Sequence, residues 1–255
     1  MRAIVPMGAE HPYRTYGRRA RLGLIVPPTN TVNESEWARM LPAGVTLHVT
    51  RMPLHADTTS EPGRAALHAD IRLAAGLLAQ AGPDVIAYGC TAGSMVSPIE
   101  ALTDFIRRET GVAAVATAPA LVLAARALGV SRVALATPYD DRLNAHEVHF
   151  LADEGIGVVS VRGLGIGAGG AHEYVQIARI PPEQVLAHCR AADRPDAQAL
   201  MVSCTDFATL DLLPRLEQAL GKPVISSNLA TFWAALRTAG LEDRIAGMGS
   251  LLERV

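Results

Sequence analysis

The sequence predicts an α/β protein made of two similar halves, each a largely parallel sheet with helices, and a functional cleft between them. Short apolar runs typical of strands alternate with stretches of helical periodicity, which indicates βαβ units. Landmarks of the first half recur in the second half in the same order. The chain has 255 residues, of which 49% are hydrophobic, enough to bury the cores of two domains.

The internal repeat consists of four pairs of segments separated by 110 to 114 residues. The pairs are 24–27 with 135–138, 90–91 with 204–205, 111–115 with 221–225, and 124–125 with 234–235. Such a duplication predicts two domains related by a pseudo-two-fold axis. We expect residues 1–117 and 228–255 to form the first domain, with 1–20 as a polar lead, and residues 118–227 to form the second.

The first half is predicted to contain four strands and three helices. Strands are predicted at residues 21–26, 45–52 and 111–117 and in the run that leads to Cys90. Helices are predicted at residues 31–41, 64–81 and 97–108, with a polar loop at 56–62. Pro27 ends the first strand, and Thr31 or Asn33 can cap the helix that follows. Ser97 and Glu100 have the spacing of a capping box, which predicts a helix start there.

The second half repeats this alternation. Strands are predicted at residues 132–137, 157–162 and 222–226 and in the run that leads to Cys204. Helices are predicted at residues 120–128, 143–154, 181–190 and 229–239, with another that ends at 220. Gly129 and Gly155 end two of these helices, because glycine adopts the left-handed conformation of a helix C-terminus at no steric cost.

A glycine-rich run at residues 163–170 follows the sixth strand and contains the pattern G-x-G-x-x-G. A dinucleotide-binding loop of this kind opens a helix and is followed by an acidic residue about 20 positions later. Neither feature is present here, so we interpret the run as a mobile lid over the cleft and expect no nucleotide cofactor.

Each half carries a cysteine at a matching position, Cys90 in the first and Cys204 in the second. Each cysteine lies at the end of a predicted strand and is followed by threonine. Ligands of open α/β sheets bind at the carboxyl ends of the strands. A helix beginning there would also favour a thiolate through its partial positive charge. Buried cysteines are common and inert, but two at matching positions of a duplicated chain favour function. Cys189, beside His188 on a predicted helix, is interpreted as structural.

Composition and charge argue against several other functions. The net charge is −2, with 23 basic and 25 acidic side chains, which predicts no nucleic-acid partner and no binding to an anionic membrane surface. No apolar run approaches the roughly 20 residues of a membrane span, and the spacing of the three cysteines fits neither a disulfide framework nor a metal site. We therefore expect a soluble, cytoplasmic protein without a metal. Its Ala-rich helices are compatible with a homo-oligomer.

Two thiols that face each other suit chemistry at a carbon next to a carboxylate. As a base and an acid on opposite faces, they can racemise a substrate without a cofactor. Alternatively, one thiolate adds to an activated double bond and leaves after rotation. Both routes need hydrogen-bond donors for a developing negative charge. Backbone N–H groups and hydroxyls of the two Cys-Thr turns are candidate donors, namely those of Thr91, Ala92, Thr205 and Asp206, joined by the side chains of Asn30 and Tyr139.

Five motifs together are specific enough to indicate a family. They are Gly23-Leu-Ile-Val-Pro-Pro-Thr-Asn30, Tyr88-Gly-Cys-Thr-Ala-Gly-Ser94, Ala136-Thr-Pro-Tyr139, Ser203-Cys-Thr-Asp206 and Lys222-Pro-Val-Ile-Ser-Ser-Asn228. The chain resembles the aspartate/glutamate racemase superfamily over residues 21–250, especially the branch of maleate cis–trans isomerases and arylmalonate decarboxylases. The resemblance implies a two-domain fold and catalysis without a cofactor.

The resemblance also implies roles for individual residues. Cys90 corresponds to the nucleophile that attacks maleate in the isomerases, and Cys204 to the cysteine that assists it. Asn30 and Tyr139 correspond to residues that hold substrate carboxylates. Arylmalonate decarboxylases keep only the second cysteine, so Cys90 argues against that activity.

Two departures from the isomerase pattern concern the substrate. The Asp-Asn dipeptide that maleate isomerases carry after the sixth strand is replaced here by residues 167–173, which leaves His172 and Glu173 as candidate substitutes. The threonine after each cysteine favours the amino-acid racemases.

The leading hypothesis is a cofactor-independent isomerase or racemase acting on a small carboxylate, with a maleate-type dicarboxylate as substrate. The alternatives are a racemase of the aspartate or glutamate type, a decarboxylase of substituted malonates that uses Cys204 as proton donor, and a two-lobed carboxylate-binding protein in which the cysteines are incidental.

Overall fold

The computed structural model describes residues 10–55 and 60–255 and contains two four-stranded parallel sheets. The first sheet has the order β2-β1-β3-β4, and the second has the order β6-β5-β7-β8. The strands are β1 Ala20–Val26, β2 Val45–Arg51, β3 Val85–Tyr88, β4 Ala113–Ala116, β5 Arg132–Ala136, β6 Gly157–Arg162, β7 Ala199–Val202 and β8 Val224–Ser226. The second order repeats the first with every number raised by four, so the prediction of two similar α/β halves is confirmed.

Helices connect the strands, as parallel neighbours require. They are α1 Asn33–Met40, α2 Glu61–Gln80, α3 Thr91–Ser94, α4 Ala101–Thr110, α5 Thr117–Ala127, α6 Asp141–Asp153, α7 Pro182–Ala192, α8 Leu213–Leu220, α9 Ser227–Thr238 and α10 Ser250–Arg254. Two 3-10 helices lie at Ala171–Arg179 and Leu210–Leu212. Within the described ranges, no helix is both long and apolar enough to cross a membrane.

The two halves are joined through the helices α5 and α9, which lie against each other. Helix α9 comes from the end of the chain but contacts β3 and β4 of the first sheet. Trp37 of α1 fastens it there: its indole N–H donates to the Asn228 carbonyl oxygen at 3.1 Å, and its ring packs edge-on against Phe232. This contact agrees with assigning residues 228–255 to the first domain, although the division of the chain into domains stays a prediction.

Several predicted helix starts are shifted. Helices α2 and α5 begin at Glu61 and Thr117, each three residues before the predicted position. Helix α4 begins at Ala101, four residues after Ser97, because the Ala101 N–H donates to the Pro98 carbonyl oxygen at 3.0 Å and closes a turn first. Helix α1 is capped by neither Thr31 nor Asn33. The cap is the Asn30 side chain, whose Oδ1 accepts hydrogen bonds from the N–H groups of residues 32 and 33 at 3.1 and 3.0 Å.

Residues 56–59 of the predicted loop at 56–62 lie outside the described residues, and the prediction is wrong for residues 61 and 62, which form the start of α2. The predicted lid at 163–170 forms turns, and its backbone is held by the Gly167 N–H, which donates to Glu173 Oε2 at 2.7 Å.

Candidate active site

The carboxyl ends of β3 and β7 bring the two predicted cysteines to one small cavity of about 60 Å³ between the halves. Both thiols are buried there. The other predicted residues at this cavity are Asn30, Thr91, Ala92, Tyr139, Thr205 and Asp206. The two thiols are close enough that a thiolate at Cys90 raises the pKa of Cys204. The structure thus places nearly the whole predicted constellation together.

Cys90 lies immediately before α3, as the sequence predicts. The backbone N–H groups of Ala92 and Gly93 and the hydroxyl of Tyr88 lie close enough to the Cys90 sulfur to lower its pKa. Burial acts in the opposite direction and is the larger effect, so the pKa of the Cys90 thiol is raised. Cys90 therefore has nearby donors for a negative charge on its sulfur.

Tyr88 is a site residue that the sequence analysis did not single out. It lies on β3 two positions before Cys90, and side chains two apart on a strand point to the same face, so this spacing was an available signal. A Cβ atom added at Gly93 would come too close to the Tyr88 hydroxyl oxygen and clash with it. Glycine at position 93 therefore lets the tyrosine hydroxyl approach the turn that holds Cys90.

Cys204 has different surroundings, and the prediction that it also precedes a helix is wrong. A turn follows it, and the next helical segment is the 3-10 helix at Leu210–Leu212. The Asp206 N–H and the Tyr139 hydroxyl lie close enough to the Cys204 sulfur to lower its pKa. Burial, together with the negative charge of Asp206, raises the pKa of the Cys204 thiol to about 12. The neutral thiol is thus the stable form at this position.

The backbone of Cys204 is also unusual. Its φ of 112° makes it the one non-glycine residue with a positive φ in the described ranges. Its N–H donates to the hydroxyl of Ser227 at 3.0 Å. This backbone conformation is incompatible with a right-handed α-helix at Cys204.

The threonine hydroxyls of both turns are engaged in contacts between segments. Thr205 Oγ1 donates to the Gly89 carbonyl oxygen at 3.0 Å and accepts from Asn30 Nδ2 at 2.9 Å. Thr91 Oγ1 lies 2.9 Å from the Ser227 hydroxyl. These bonds tie the first-half turn to the second-half turn and leave the threonine hydroxyls committed to holding the cavity together.

Asn30 and Asp206 form a second link across the cleft. Besides capping α1, Asn30 reaches Thr205, so one amide fixes three segments. Asp206 Oδ1 accepts from the Thr31 N–H at 3.0 Å. Burial raises the pKa of the Asp206 carboxyl to about 6, even though the N–H groups of Thr31 and Val32 hold it down.

The structure does not bring His172 or Glu173 to either cysteine. The His172 side chain is exposed, Glu173 accepts from the Gly167 N–H, and neither residue lines the cavity. Tyr174, two residues after His172 in the same 3-10 helix, lines the cavity between the cysteines instead. No motif in the sequence marks Tyr174 as a site residue.

A buried carboxyl next to the site was also missed. Glu147 of α6 is 1% exposed and lies beside the Ser203 hydroxyl, which lowers its pKa slightly. Neither group completes a hydrogen bond of good geometry within the described part of the chain. Burial therefore raises the pKa of Glu147 to about 7. Its charge in turn acts on Tyr139, which contacts Cys204.

The third cysteine lies away from this chemistry. Cys189 is fully buried in α7, and burial raises the pKa of its thiol to about 12. In residues 10–55 and 60–255, no cluster of three or more His, Cys, Asp or Glu side chains has the geometry to hold a metal ion.

Comparison with known proteins agrees with this arrangement. A family model described as arylmalonate decarboxylase matches residues 22–252. A maleate isomerase from Nocardia farcinica is 34% identical over 247 residues, covering 92% of this chain and 96% of the relative. The arylmalonate decarboxylase of Bordetella bronchiseptica is also 34% identical, covering 86% of this chain and 90% of the relative.

Solved structures give the same result. A variant of the Nocardia farcinica maleate cis–trans isomerase with a covalently bound succinylcysteine intermediate superposes with a TM-score of 0.82 at 30% identity, over 92% of this chain and 99% of the other. A crystal structure of arylmalonate decarboxylase has a TM-score of 0.77 at 32% identity, covering 91% and 98% of the two chains. With its paired strand-end cysteines and this match along nearly its whole length, the chain belongs to the arylmalonate decarboxylase family.

Proposed function

We propose that this protein is a cofactor-independent cis–trans isomerase of a maleate-type dicarboxylate, with Cys90 as nucleophile and Cys204 as proton donor and acceptor. The observation that supports it most is the unequal pair of thiols on one cavity. Burial raises the pKa of both thiols, but three nearby donors lower that of Cys90, whereas Cys204 has two such donors and also the carboxylate of Asp206, which raises its pKa further. The relatives named maleate isomerase support the same activity.

The first step uses Cys90. Its thiolate forms a C–S bond to one alkene carbon, and the π electrons move to the other carbon and its carboxylate. The negative charge that develops there needs donors, and the side chains of Asn30 and Tyr139 at the cavity are candidates for supplying them. Cys204 then gives its proton to the carbanion, which leaves a succinyl group on Cys90 and a thiolate on Cys204.

The second half of the reaction reverses these steps after rotation about the new single bond. The Cys204 thiolate removes the proton, the double bond re-forms in the trans geometry, and the C–S electrons return to Cys90. No atom or electron is gained or lost overall, so no external cofactor is required. A succinyl group on cysteine is also the intermediate described for the Nocardia farcinica enzyme.

Proton NMR of the wild-type protein with maleate in D2O tests the proposal. We expect the maleate signal to be replaced by that of fumarate. Deuterium entering the α-position of aspartate or glutamate, without fumarate formation, would instead identify an amino-acid racemase. Silence towards all three compounds would contradict the proposal.

A decarboxylase of substituted malonates is the second candidate, favoured by the family match and by the 34% identity to the Bordetella bronchiseptica enzyme. In that reaction Cys204 would protonate the carbanion left after loss of carbon dioxide, and Cys90 would not be needed. Phenylmalonate turnover that survives Cys90→Ala but not Cys204→Ala would select it over the isomerase.

We further propose that the enzyme is a cytoplasmic homo-oligomer. Cysteines kept as free thiols suit a reducing compartment. Leu73 and Leu77, one turn apart on α2, are 64% and 55% exposed, an apolar surface that a second copy could cover. Light scattering of the purified protein would give the mass; a monomer would refute the oligomer.

A further inference from the structure

A second, larger cavity of about 420 Å³ opens from the same cysteine. The two cavities share Pro27, Leu54, Cys90, Ala92 and Tyr174. Its volume lies within the range of about 300–1,000 Å³ that is usual for ligand sites. A four-carbon dicarboxylate held between the two cysteines would leave most of this space to water.

Much of the lining of the larger cavity is apolar. Its apolar part consists of Pro27, Met52, Pro53, Leu54, Leu67 and Leu143. Polar groups lie on α6, where Arg142 and His146, four residues apart, both line the cavity. Residues at this spacing share one face of a helix. A chain of methylenes that enters this cavity would thus find apolar contacts, and a charged group at its end would find Arg142.

Arg142 supplies a positive charge that the structure leaves without a partner. It makes no hydrogen bond or ion pair with any residue in the described ranges, and none of the described lining residues is acidic. The carboxylate of nearby Asp140 is used as the cap of α6, where it accepts from the Leu143 N–H at 2.8 Å.

The two histidines that line the cavity differ from Arg142 because each has a hydrogen-bond partner. His55 Nε2 is 2.9 Å from Asp70 Oδ2, so its charge when protonated is balanced by a carboxylate. His146 Nε2 lies 3.1 Å from the Met95 carbonyl oxygen and donates to it. Arg142 is consequently the group in the described lining that can take an anion.

We propose that the preferred substrate carries an aliphatic side chain with an anionic end, which extends from the reacting dicarboxylate through the larger cavity to Arg142. Arg142 is then a specificity-determining residue. The inference rests on the proposed isomerase function and adds the substrate class: a cis-enedioate substituted on one alkene carbon by a chain that ends in a carboxylate. A guanidinium pairs with a carboxylate through two parallel N–H···O bonds, a geometry that lysine does not provide.

Binding can be measured without turnover in the Cys90→Ser variant. The ligands are maleates substituted on one alkene carbon with ω-carboxyalkyl chains of two to four methylenes, each compared with the neutral alkyl chain of equal length. Because Arg142 is exposed at the rim, we expect calorimetry to show a preference of about fivefold for the acidic chain at the best length. Adding Arg142→Gln should reduce this ratio to about one.

Arg190→Gln is the matched control, since Arg190 is an exposed arginine on α7 outside both cavities; the preference should survive there. Equal binding of acidic and neutral chains in the Cys90→Ser protein, a preference that persists after Arg142→Gln, or no binding of either ligand would each overturn the inference. The wild-type reaction with maleate distinguishes failure of this inference from failure of the proposed function. Fumarate formation without an acidic-chain preference defeats the inference alone. If none of these enedioates is isomerised, the proposed function fails, whatever the binding ratio.

Discussion

The two cysteines occupy equivalent places in a repeated fold and are both buried, yet the groups around each thiol differ. Cys90 precedes a short helix and receives two backbone N–H groups and a tyrosine hydroxyl. Cys204 precedes a turn, receives one N–H and a tyrosine hydroxyl, and lies near the carboxylate of Asp206. The repeat places a thiol in each half, and the different segments after each strand give the two thiols the unequal surroundings on which the proposed division into nucleophile and acid rests.

Removing Cys90 tests this division most severely. We expect Cys90→Ser to lower kcat for maleate isomerisation by about 10³-fold or more, because a serine hydroxyl is far less ionised and cannot replace the thiolate. NMR of fumarate formation measures it, with Cys189→Ala as the matched cysteine control, expected to keep activity. Turnover within a few-fold of wild type would show that Cys90 is not the nucleophile.

Removing Cys204 should give a different defect. Cys204→Ser is expected to slow turnover about 10²-fold, a typical contribution of general acid–base catalysis, while still allowing the thiolate of Cys90 to attack. Intact-protein mass spectrometry after mixing with maleate should then find an adduct on Cys90, and none in Cys90→Ser. An adduct in Cys90→Ser, carried by Cys204, would reverse the assignment.

Glu147, a buried carboxyl beside Ser203 on the Cys204 side of the site, makes stability depend on pH. The pKa of Glu147 is raised from 4.5 to about 7 in the folded protein. The native state therefore holds the proton more tightly than the unfolded chain does, and Glu147 lowers the free energy of unfolding as pH rises from about 4.5 to 7, by about 3 kcal/mol in total. Below this window its neutral form costs nothing extra, and above it the loss is complete.

Glu147→Gln, which carries no charge at any pH, should remove this dependence. Urea unfolding of both proteins at pH 5 and pH 8 measures it: the variant should gain stability relative to wild type at the higher pH. A difference between the two proteins that does not change with pH would mean that the carboxyl is ionised throughout or reached by water.

The smallest expected effect concerns the tyrosine hydroxyls. Tyr88→Phe removes a donor that lowers the pKa of Cys90, so less thiolate forms at neutral pH and kcat/KM should fall about tenfold. The loss should shrink as pH rises, because the thiol ionises in both proteins at sufficiently high pH. Tyr139→Phe is the paired comparison. Tyr139 acts on Cys204. In Tyr139→Phe, the rise of kcat/KM with increasing pH should therefore occur at the same pH as in the wild type. An identical shift of this rise in both variants would contradict the distinction between the two thiols.

The sequence predicted the features that depend on local pattern. Strand–helix alternation and the repeat gave the two parallel sheets, and strand ends that carry Cys-Thr gave the meeting of Cys90 and Cys204. The turn after Cys204 could not be predicted, because it depends on Glu36, more than 170 residues away in the chain. Glu36 Oε1 accepts from the N–H groups of Thr209 and Leu210 at 2.7 and 2.8 Å, and so takes donors that a helix at this point would have used internally.

Side chains that reach the site from other segments were equally hidden. Tyr174 enters from the 3-10 helix and Glu147 from α6, and neither has a motif that marks it. Asn30 was predicted as a site residue, and the structure places its amide at the cavity. Its side chain also accepts from the first N–H groups of α1, so one position serves both the fold and the candidate site.

The positive φ of Cys204 has a consequence for how this protein can change. Holding a non-glycine residue at a φ of 112° costs on the order of 1–3 kcal/mol of folding free energy, which glycine at the same position would largely avoid. A search for more thermostable variants that ignores activity would therefore favour losing this thiol. Under the proposed function, the protein keeps a less stable residue at position 204 because the thiol is needed for the reaction, a trade-off between stability and activity. Selection for heat resistance should then favour glycine at residue 204, whereas selection for turnover should favour cysteine.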